Sequence, residues 1–398
     1  MKIELMNLLV NELNDIDTIK NMISIYDNIP EEDIKKILDE AKKCGYNGNA
    51  LKLATDKDVL EQRTIEEQIK LMEELKECEY NDSAFEIAAL KNVLENRTTE
   101  DQIQLMEELK ECEYNDNAFE IATDAYVLEN RTTKEQIKLM KKLKECECND
   151  NVLEIAIDKD ALEQGTLEEQ IKLIEELKEC EYNDNALIIA IDLDVIENRS
   201  LEEQIKLMKE LKECEYNDSA LEIAADKDVL ENRTTKEQIK LMKILKEWEF
   251  EHYALYIATN ENVLEKRTAK EQIKLMEELK KYGYKYDVLG IATNKDVLEN
   301  RTTKEQIQLM YTMHTLEKCK YRYGAFEIAI DKNVLENRTT DEQIQLMNSY
   351  VKKGELTHSD NLNKINDLKE LKKYVCNLQK VYGNDTDIKI KDVVKLYK

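Results

Sequence analysis

Histidine and cysteine, the side chains that most often carry chemistry, are either few or regularly spaced in this chain. There are three histidines, His252, His314 and His358, and none shares a short motif with a nucleophile or an acid. The sequence also contains no glycine-rich phosphate loop and no G-x-S-x-G motif. Its many glutamates recur at helix caps and on polar helix faces, where accidental pairs are expected. We therefore expect a protein that is not an enzyme and that binds no cofactor.

The nine cysteines do not predict a disulfide framework or a metal site. Five of them recur at intervals of 34 residues: Cys78, Cys112, Cys146, Cys180 and Cys214. Equivalent positions on stacked helices lie about 8–10 Å apart, whereas a disulfide needs Cα atoms within about 7 Å. We expect these cysteines to pack as small buried hydrophobic residues. Since the acidic N-terminus does not resemble a secretory signal, reduced cysteines favour a cytoplasmic protein.

Aromatic and basic side chains cluster in three consecutive turns of the chain. Tryptophan, tyrosine and arginine are the residues that most often dominate the binding energy of protein interfaces. We therefore predict a partner-binding patch made of Trp248, His252, Tyr253, Tyr282, Tyr284, Tyr286, Tyr321, Arg322 and Tyr323. The alternative is that Trp248, Phe250 and Tyr284 only replace the cysteine and tyrosine found at the same core positions elsewhere.

These turns belong to a repeat of 34 residues, which is clearest in residues 98–131. The phrase Val-Leu-Glu-Asn-Arg-Thr, or a close variant, begins at residues 59, 93, 127, 161, 195, 229, 263 and 297, and again at 334 after a three-residue insertion. A fixed period of this length is typical of stacked helical units. We predict an all-α fold, an α-solenoid of about nine to ten helix–turn–helix repeats with irregular terminal caps.

Each repeat carries its own signals for helix starts. Thr98 with Asp101 has the spacing of a capping box before an apolar-periodic run. The same pair recurs as Thr132/Glu135, Thr166/Glu169, Ser200/Glu203, Thr234/Glu237, Thr268/Glu271 and Thr302/Glu305. After a turn at residues 114–116, Asn117 with Glu120 predicts a second helix start, and Asp160 with Glu163 suggests a third. The sequence leaves open whether the second half of the repeat is one kinked helix or two short ones.

The period also divides the chain. Residues 1–29 resemble a degenerate N-terminal capping repeat, 30–338 form an array of nine units, and 339–398 hold a half repeat with closing helices. An arginine recurs just before each long helix, at Arg97, Arg131, Arg199, Arg233, Arg267, Arg301 and Arg338. We expect each arginine to bind a glutamate or asparagine of the next repeat. Gly165 replaces it once, which predicts a weaker and more bendable joint there.

The 34-residue helix–turn–helix period over residues 30–338 resembles the tetratricopeptide family and, more loosely, pentatricopeptide and HEAT-type arrays. The first helix, with the sequence EQIKLMEELKEC, lacks the family's Trp, Leu-Gly and Tyr, and no repeat ends in proline. The resemblance therefore implies an architecture and no functional residues.

Charge is distributed unevenly along the array. Charged residues make up 36% of the chain, and its formal net charge is −27. Residues 64–233 alone carry −27, whereas the three repeats of 234–338 carry 0, +1 and +1. A charged surface that only keeps the array soluble is one interpretation. No run approaches the ~20 apolar residues of a membrane helix, so no membrane segment is expected.

These features favour a non-catalytic scaffold that binds a protein or peptide, with the acidic repeats steering a basic partner. The alternative is an acidic decoy that mimics nucleic acid, because the acidic repeats hold one net charge per about 1.9 Å, close to the ~1.7 Å of duplex DNA. Direct nucleic-acid binding is disfavoured by the charge, and only the turns at 281–286 and 318–323 support it. Size and acidity also resemble peptide receptors of bacterial signalling, by analogy alone.

Overall fold

The computed structural model describes residues 30–249, 252–319 and 321–357, which form 28 α-helices with no β-strand among them. The chain divides into two compact units, Met1–Tyr216 and Asn217–Lys398. The predicted capping repeat at 1–29 lies outside the described residues. So does the part of the predicted closing segment from residue 358 onward.

The first unit contains sixteen of the described helices. They are α1 Glu31–Lys43, α2 Gly48–Thr55, α3 Lys57–Gln62, α4 Ile65–Glu77, α5 Asp82–Ala89, α6 Lys91–Asn96, α7 Thr99–Glu111, α8 Asp116–Thr123, α9 Ala125–Asn130, α10 Thr133–Glu145, α11 Asp150–Ile157, α12 Lys159–Gln164, α13 Leu167–Glu179, α14 Asp184–Ile191, α15 Leu193–Asn198 and α16 Leu201–Glu213.

The second unit contains the other twelve described helices. They are α17 Asp218–Ala225, α18 Lys227–Asn232, α19 Thr235–Glu247, α20 His252–Thr259, α21 Glu261–Lys266, α22 Ala269–Lys281, α23 Tyr286–Thr293, α24 Lys295–Asn300, α25 Thr303–Thr315, α26 Arg322–Ile330, α27 Lys332–Asn337 and α28 Thr340–Thr357.

The helices recur as a triplet of long, middle and short members. In residues 98–131 these are α7 with 13 residues, α8 with 8 and α9 with 6. The second half of the repeat is therefore two helices, because Asp124 between them is extended, with φ −60° and ψ 134°. The resemblance to tetratricopeptide arrays extends to the period but not to the number of helices per repeat.

The predicted capping boxes of the long helices are confirmed. Thr132 accepts a hydrogen bond from the Glu135 amide, and the Glu135 carboxylate accepts one from the Thr132 amide. The same reciprocal pair occurs at the start of α4, α7, α13, α16, α19, α22 and α25. The bond from the Thr132 amide lowers the pKa of Glu135 below its usual range.

The two later caps were predicted two residues too far along. The cap of α8 is Asn115, not Asn117, and its side chain accepts from the amides of residues 117 and 118. The cap of α12 is Asp158, not Asp160. The side-chain oxygen of an Asn or Asp cap accepts from amides two and three residues ahead. Because Asn115 already caps these amides, Asn117 and the acid three residues after it do not form a capping box. Asp116, predicted in the turn, is the first residue of α8.

The turn between long and middle helices has an unusual backbone. Glu113 and Tyr114 both lie in the left-handed region, with φ 56° each. That conformation costs a non-glycine residue about 1–2 kcal/mol. Gly45 and Gly283 occupy the first of these two positions in other repeats, where the cost disappears.

Within each unit, the triplets stack side by side as an α-solenoid. Long helices pack on long helices, as α7 does on α4 and α10, and middle and short helices follow the same rule. The core columns are fully buried in residues 98–131 at Leu105, Met106, Leu109, Ala118, Ile121, Ala122 and Val127. No helix could bury this apolar face alone, so neighbouring triplets stabilise each other.

The cysteine column is buried, as predicted. Cys78, Cys112, Cys146, Cys180 and Cys214 are free thiols inside the stack. Burial raises the pKa of Cys78 and of Cys112 to about 11. Such thiols stay protonated near neutral pH and act as packing groups.

A ladder of arginines links successive triplets. Arg97 donates from Nε to Gln136 Oε1 at 2.8 Å. Its Nη1 donates to the Leu128 carbonyl at 3.0 Å, and its Nη2 to the Arg131 carbonyl at 2.6 Å. The acceptors are thus a glutamine and carbonyls at the end of the next short helix, not the predicted glutamate or asparagine side chains. The same bonds are made by Arg131 in the first unit and by Arg233, Arg267 and Arg301 in the second.

Candidate binding edge

The first turn of the middle helix changes its chemistry along the chain. In five repeats its first residue is an aspartate: Asp82, Asp116, Asp150, Asp184 and Asp218. In the next three, the equivalent residue is His252, Tyr286 or Tyr323. The insertion makes α26 begin one residue earlier, at Arg322, and Tyr323 keeps its place two residues before the buried Ala325. An acidic position becomes aromatic within the second unit.

These three aromatic side chains lie in solvent. Tyr286 is 74% exposed, Tyr323 is 64% exposed, and His252 is also exposed. Asp at the start of a helix is favourable because it faces the positive end of the helix dipole. Tyrosine has no such benefit, so the change adds accessible aromatic surface without a local structural gain.

Trp248 and Tyr282 occupy the cysteine column at the C-terminal end of their long helices, and the structure separates their roles. Trp248 is half-buried, and Lys280 Nζ lies 4.6 Å from the centre of its ring. Tyr282 is only 4% exposed, and its ring stacks on His314 with centroids 5.0 Å apart. Burial and a hydrogen bond with Glu278 raise the pKa of Tyr282. Tyr282, predicted in the patch, therefore belongs to the core.

A second stack connects neighbouring repeats closer to the surface. The rings of Tyr253 and Tyr284 are 6.4 Å apart and inclined by 18°. His252 meets Tyr253 edge-on at 6.1 Å. Tyr253 and Tyr284 are half-buried, so this stack supports the exposed His252. Phe250, which the alternative placed in the core, lies outside the described residues.

Ion pairs surround the two exposed tyrosines. Lys285 Nζ lies 2.8 Å from Glu317, and Arg322 Nε lies 3.6 Å from Asp287. The Arg322 guanidinium also lies 5.0 Å from the centre of the Tyr323 ring. Exposed pairs of this kind contribute at most about 1 kcal/mol each to stability. Their role is to hold charged groups close to the tyrosines rather than to stabilise the fold.

A small cavity of about 70 Å³ opens among Lys285, Tyr286, His314, Glu317 and Arg322. The Nδ1 atom of His314 is buried there without a hydrogen-bond partner among the described residues. Tyr321 is half-buried at the start of α26. We define the aromatic edge by its accessible members: Trp248, His252, Tyr253, Tyr284, Tyr286, Tyr321, Arg322 and Tyr323.

The sequence motifs did not point to several other exposed tyrosines of the second unit, among them Tyr256 and Tyr311. Tyr256 is 48% exposed and Tyr311 is 56% exposed. Tyr256 replaces the glutamate found at Glu120 and Glu222, and Tyr311 replaces the one at Glu107. Aligning all repeats column by column, rather than comparing their turns alone, would have identified both.

Among residues 30–249, 252–319 and 321–357, no three His, Cys, Asp or Glu side chains are grouped as metal ligands would be. The helices of that same part of the chain are all too short or too polar to cross a membrane. Comparisons with known protein families and with curated proteins find no match for this sequence.

Proposed function

We propose that this protein is a non-catalytic scaffold that holds a protein or peptide partner on its aromatic edge. The observation that supports the proposal is the replacement of a repeated aspartate by exposed His252, Tyr286 and Tyr323. The core columns and the ladder are nearly the same in repeats with and without this change, so the stack does not require it. Such a scaffold would work in the cytoplasm, where its buried thiols stay reduced.

The chemistry of the edge suits partner recognition. Tyrosine offers a large contact area for a small loss of side-chain entropy, and Trp, Tyr and Arg are the usual anchors of interfaces. The stack of Tyr253 on Tyr284 and the contact of Lys280 with Trp248 hold several of these groups in place before a partner arrives. Preorganisation of this kind reduces the entropy cost of binding.

The partner we propose is basic. Residues 64–233 carry a formal charge of −27, which would attract a basic protein over a distance and speed its encounter. The aromatic edge would then supply the short-range contacts. Salt should therefore slow association more than it speeds dissociation.

The test uses substitutions that other repeats already carry at the same position. The triple variant His252→Asp, Tyr286→Asp and Tyr323→Asp restores the aspartate column. Tyr126→Asp is the matched control, since Tyr126 is 44% exposed in the first unit and aspartate occupies its column at Asp160, Asp194 and Asp228.

Wild type and both variants serve as bait in a native capture, followed by affinity measurement with the purified partner. We expect wild type and Tyr126→Asp to bind equally and the triple variant to bind about 100-fold more weakly, as the loss of two or three anchors implies. Circular dichroism must show that all three are equally helical. Undiminished binding by a folded triple variant would contradict the proposal.

The charge of residues 64–233 favours a second candidate, an acidic decoy that mimics nucleic acid. In that case basic nucleic-acid-binding proteins would be captured equally by wild type and the triple variant. Duplex DNA would compete with the protein for them, and added salt would release them steeply. Binding that is unchanged between low and high salt would reject this candidate.

A further inference from the structure

One position of the arginine ladder carries glycine, and a cavity lies beside it. At Gly165 no side chain extends toward the next short helix, α15. A cavity of about 170 Å³ lies there, lined among others by Gly165, Ile196, Arg199, Leu201 and Gln204. In the two preceding repeats this position holds Arg97 and Arg131, which are both buried.

The cavity keeps the acceptors that bind a guanidinium elsewhere. Arg97 donates to the Leu128 carbonyl, the Arg131 carbonyl and Gln136 Oε1. The equivalent groups beside Gly165 are the carbonyls of Ile196 and Arg199 and the amide oxygen of Gln204. The backbone is conserved too, since Arg199 has φ −132° and ψ 135°, and Arg131 has φ −127° and ψ 142°.

The side chain of Gln204 has adjusted to the missing arginine. In the intact ladder the glutamine donates backwards to a middle helix, as Gln136 Nε2 does to the Ile121 carbonyl at 3.0 Å. Gln204 Nε2 donates instead to the Arg199 carbonyl at 3.3 Å. This is a long hydrogen bond, so the amide can turn back and offer its oxygen to a better donor.

Solvent reaches this cavity. Ile196, Arg199 and Leu201 are half-exposed, whereas their counterparts Leu128, Arg131 and Thr133 are buried. The repeat of residues 166–199 carries a net charge of −7, and Glu169 lies at the cavity wall. A cation can therefore enter from solution and is favoured by the surrounding charge.

We infer that this cavity is a binding site for a guanidinium group. Its acceptors are arranged for a flat fork of N–H donors, which guanidinium has and the ammonium of lysine lacks. The group could belong to a small free molecule or to an arginine side chain of a protein partner, and the recognition chemistry is the same. The site is formed by residues of the first unit, none of which belongs to the aromatic edge, and it does not depend on the proposed function.

The experiment titrates the full-length protein by calorimetry with three probes. They are methylguanidinium, a short neutral peptide with a single arginine, and the same peptide with lysine in its place. We expect one saturable site that prefers arginine to lysine at least about tenfold. Binding of methylguanidinium indicates a free ligand as the source, and binding of the arginine peptide alone indicates a protein partner. Binding of neither probe at about 10 mM overturns the inference.

Variants locate the site. Gly165→Arg should abolish binding, because it supplies the guanidinium from the chain itself. A Cβ at residue 165 would lie 2.7 Å from the Ala161 carbonyl oxygen, so the backbone must rotate from φ −104° toward the −127° of Arg131. Retained binding by a folded Gly165→Arg variant would overturn the inference.

A second pair of variants tests the site even if Gly165→Arg does not fold. Gln204→Glu places a carboxylate at the acceptor and should tighten guanidinium binding about tenfold. Gln136→Glu is the matched control, since Arg97 already fills its site, and should leave the affinity unchanged. An equal response of the two variants would show that the site is not beside Gly165.

Discussion

Near the turn between the long and the middle helix, residues 98–131 and residues 268–301 bind the following repeat through different contacts. We call this part of each repeat the turn edge. In the first, Asn117 Nδ2 donates to the Cys148 carbonyl at 3.0 Å and to Asp150 at 2.8 Å. In the second, the bonds between repeats are an ion pair from Lys285 to Glu317 and one from Asp287 to Arg322. Hydrogen bonds from a neutral amide have been exchanged for ion pairs and exposed rings.

The core columns and the ladder are nearly the same in the two repeats. Leu105, Met106 and Leu109 have the fully buried counterparts Leu275, Met276 and Leu279. Both repeats also have an arginine of the ladder, Arg131 and Arg301. The core and the ladder therefore maintain the stack, and the turn edge is free to change. This is why we assign binding to the edge and stability to the ladder.

The largest effect should come from the ladder, and it should be the same in both units. Arg97→Ala removes three buried hydrogen bonds and one part-buried one, and Arg267→Ala removes four buried ones and one part-buried one. We expect each to lower the free energy of unfolding by about 3–5 kcal/mol, because buried acceptors lose a charged donor. Urea denaturation with hydrogen exchange of the adjacent short helix would measure this.

Arg338→Ala is the matched control, since Arg338 stands at the same position but is exposed. Its effect should stay within about 0.5 kcal/mol. A large loss of unfolding free energy for only one of Arg97→Ala and Arg267→Ala would contradict this expectation, because it would mean that the ladder stabilises the two units unequally.

An intermediate effect should come from tyrosine hydroxyls of the first unit. Tyr80, Tyr114 and Tyr216 donate to the carbonyls of Cys44, Cys78 and Cys180. Burial raises the pKa of each of these tyrosines to about 12. The folded state therefore holds the phenol proton more tightly than the unfolded chain. The stabilisation is complete below pH ~10 and is lost as pH rises through about 12.

The triple variant Tyr80→Phe, Tyr114→Phe and Tyr216→Phe tests this. It should be less stable than wild type by about 1 kcal/mol per hydroxyl at pH 8. The difference should shrink as the pH rises from about 10 to 12 in thermal melts, since only wild type loses stability by this route. A difference that is constant across that range would show that folding does not raise the pKa of these tyrosines.

The smallest effect should be a gain in stability at Lys285, which precedes the middle helix α23. Lys285 precedes α23 without capping it, whereas Asn115 caps α8. Lys285→Asn should gain about 1 kcal/mol from the cap and lose less than that from the exposed ion pair with Glu317. We expect a net stabilisation of about 0.5 kcal/mol together with weaker partner binding.

The reverse substitution, Asn115→Lys, should destabilise the protein by about 1 kcal/mol. If Lys285→Asn improved stability and left partner binding unchanged, the lower stability that Lys285 causes would have no role in partner binding. Both variants are compared by melting temperature and by affinity for the captured partner.

The period made much of this fold predictable. A column that repeats every 34 residues must have one environment, so the buried cysteines and the Thr capping boxes followed directly. The caps at Asn115 and Asp158 were not predicted, because an acid three residues after another polar residue matches the spacing of a capping box by chance. The split of the second helix at Asp124 depends on a single extended residue, which composition does not reveal.

The candidate site was less predictable. Trp248 and Tyr282 replace the same cysteine, yet one is half-buried and the other lies in the core. That difference depends on neighbours from the following repeat, His314 for Tyr282 and Lys280 for Trp248. The ladder acceptors were not predicted because two of them are main-chain carbonyls. Every residue has a carbonyl, so the residue type does not identify these acceptors. The bendable joint predicted at Gly165 stays a prediction.

The ladder also gives the stack a direction. Six arginines each reach forward, from the end of one triplet to a carbonyl at the end of the next: Arg63, Arg97, Arg131, Arg233, Arg267 and Arg301. Adding or deleting one whole 34-residue block inside a unit would leave each donor facing a matching set of acceptors. The three-residue insertion in residues 302–338 is also tolerated, since Arg301 still donates to the Arg338 carbonyl and to Gln343. Such an array can change its length by duplication in whole steps while each junction keeps the same bonds.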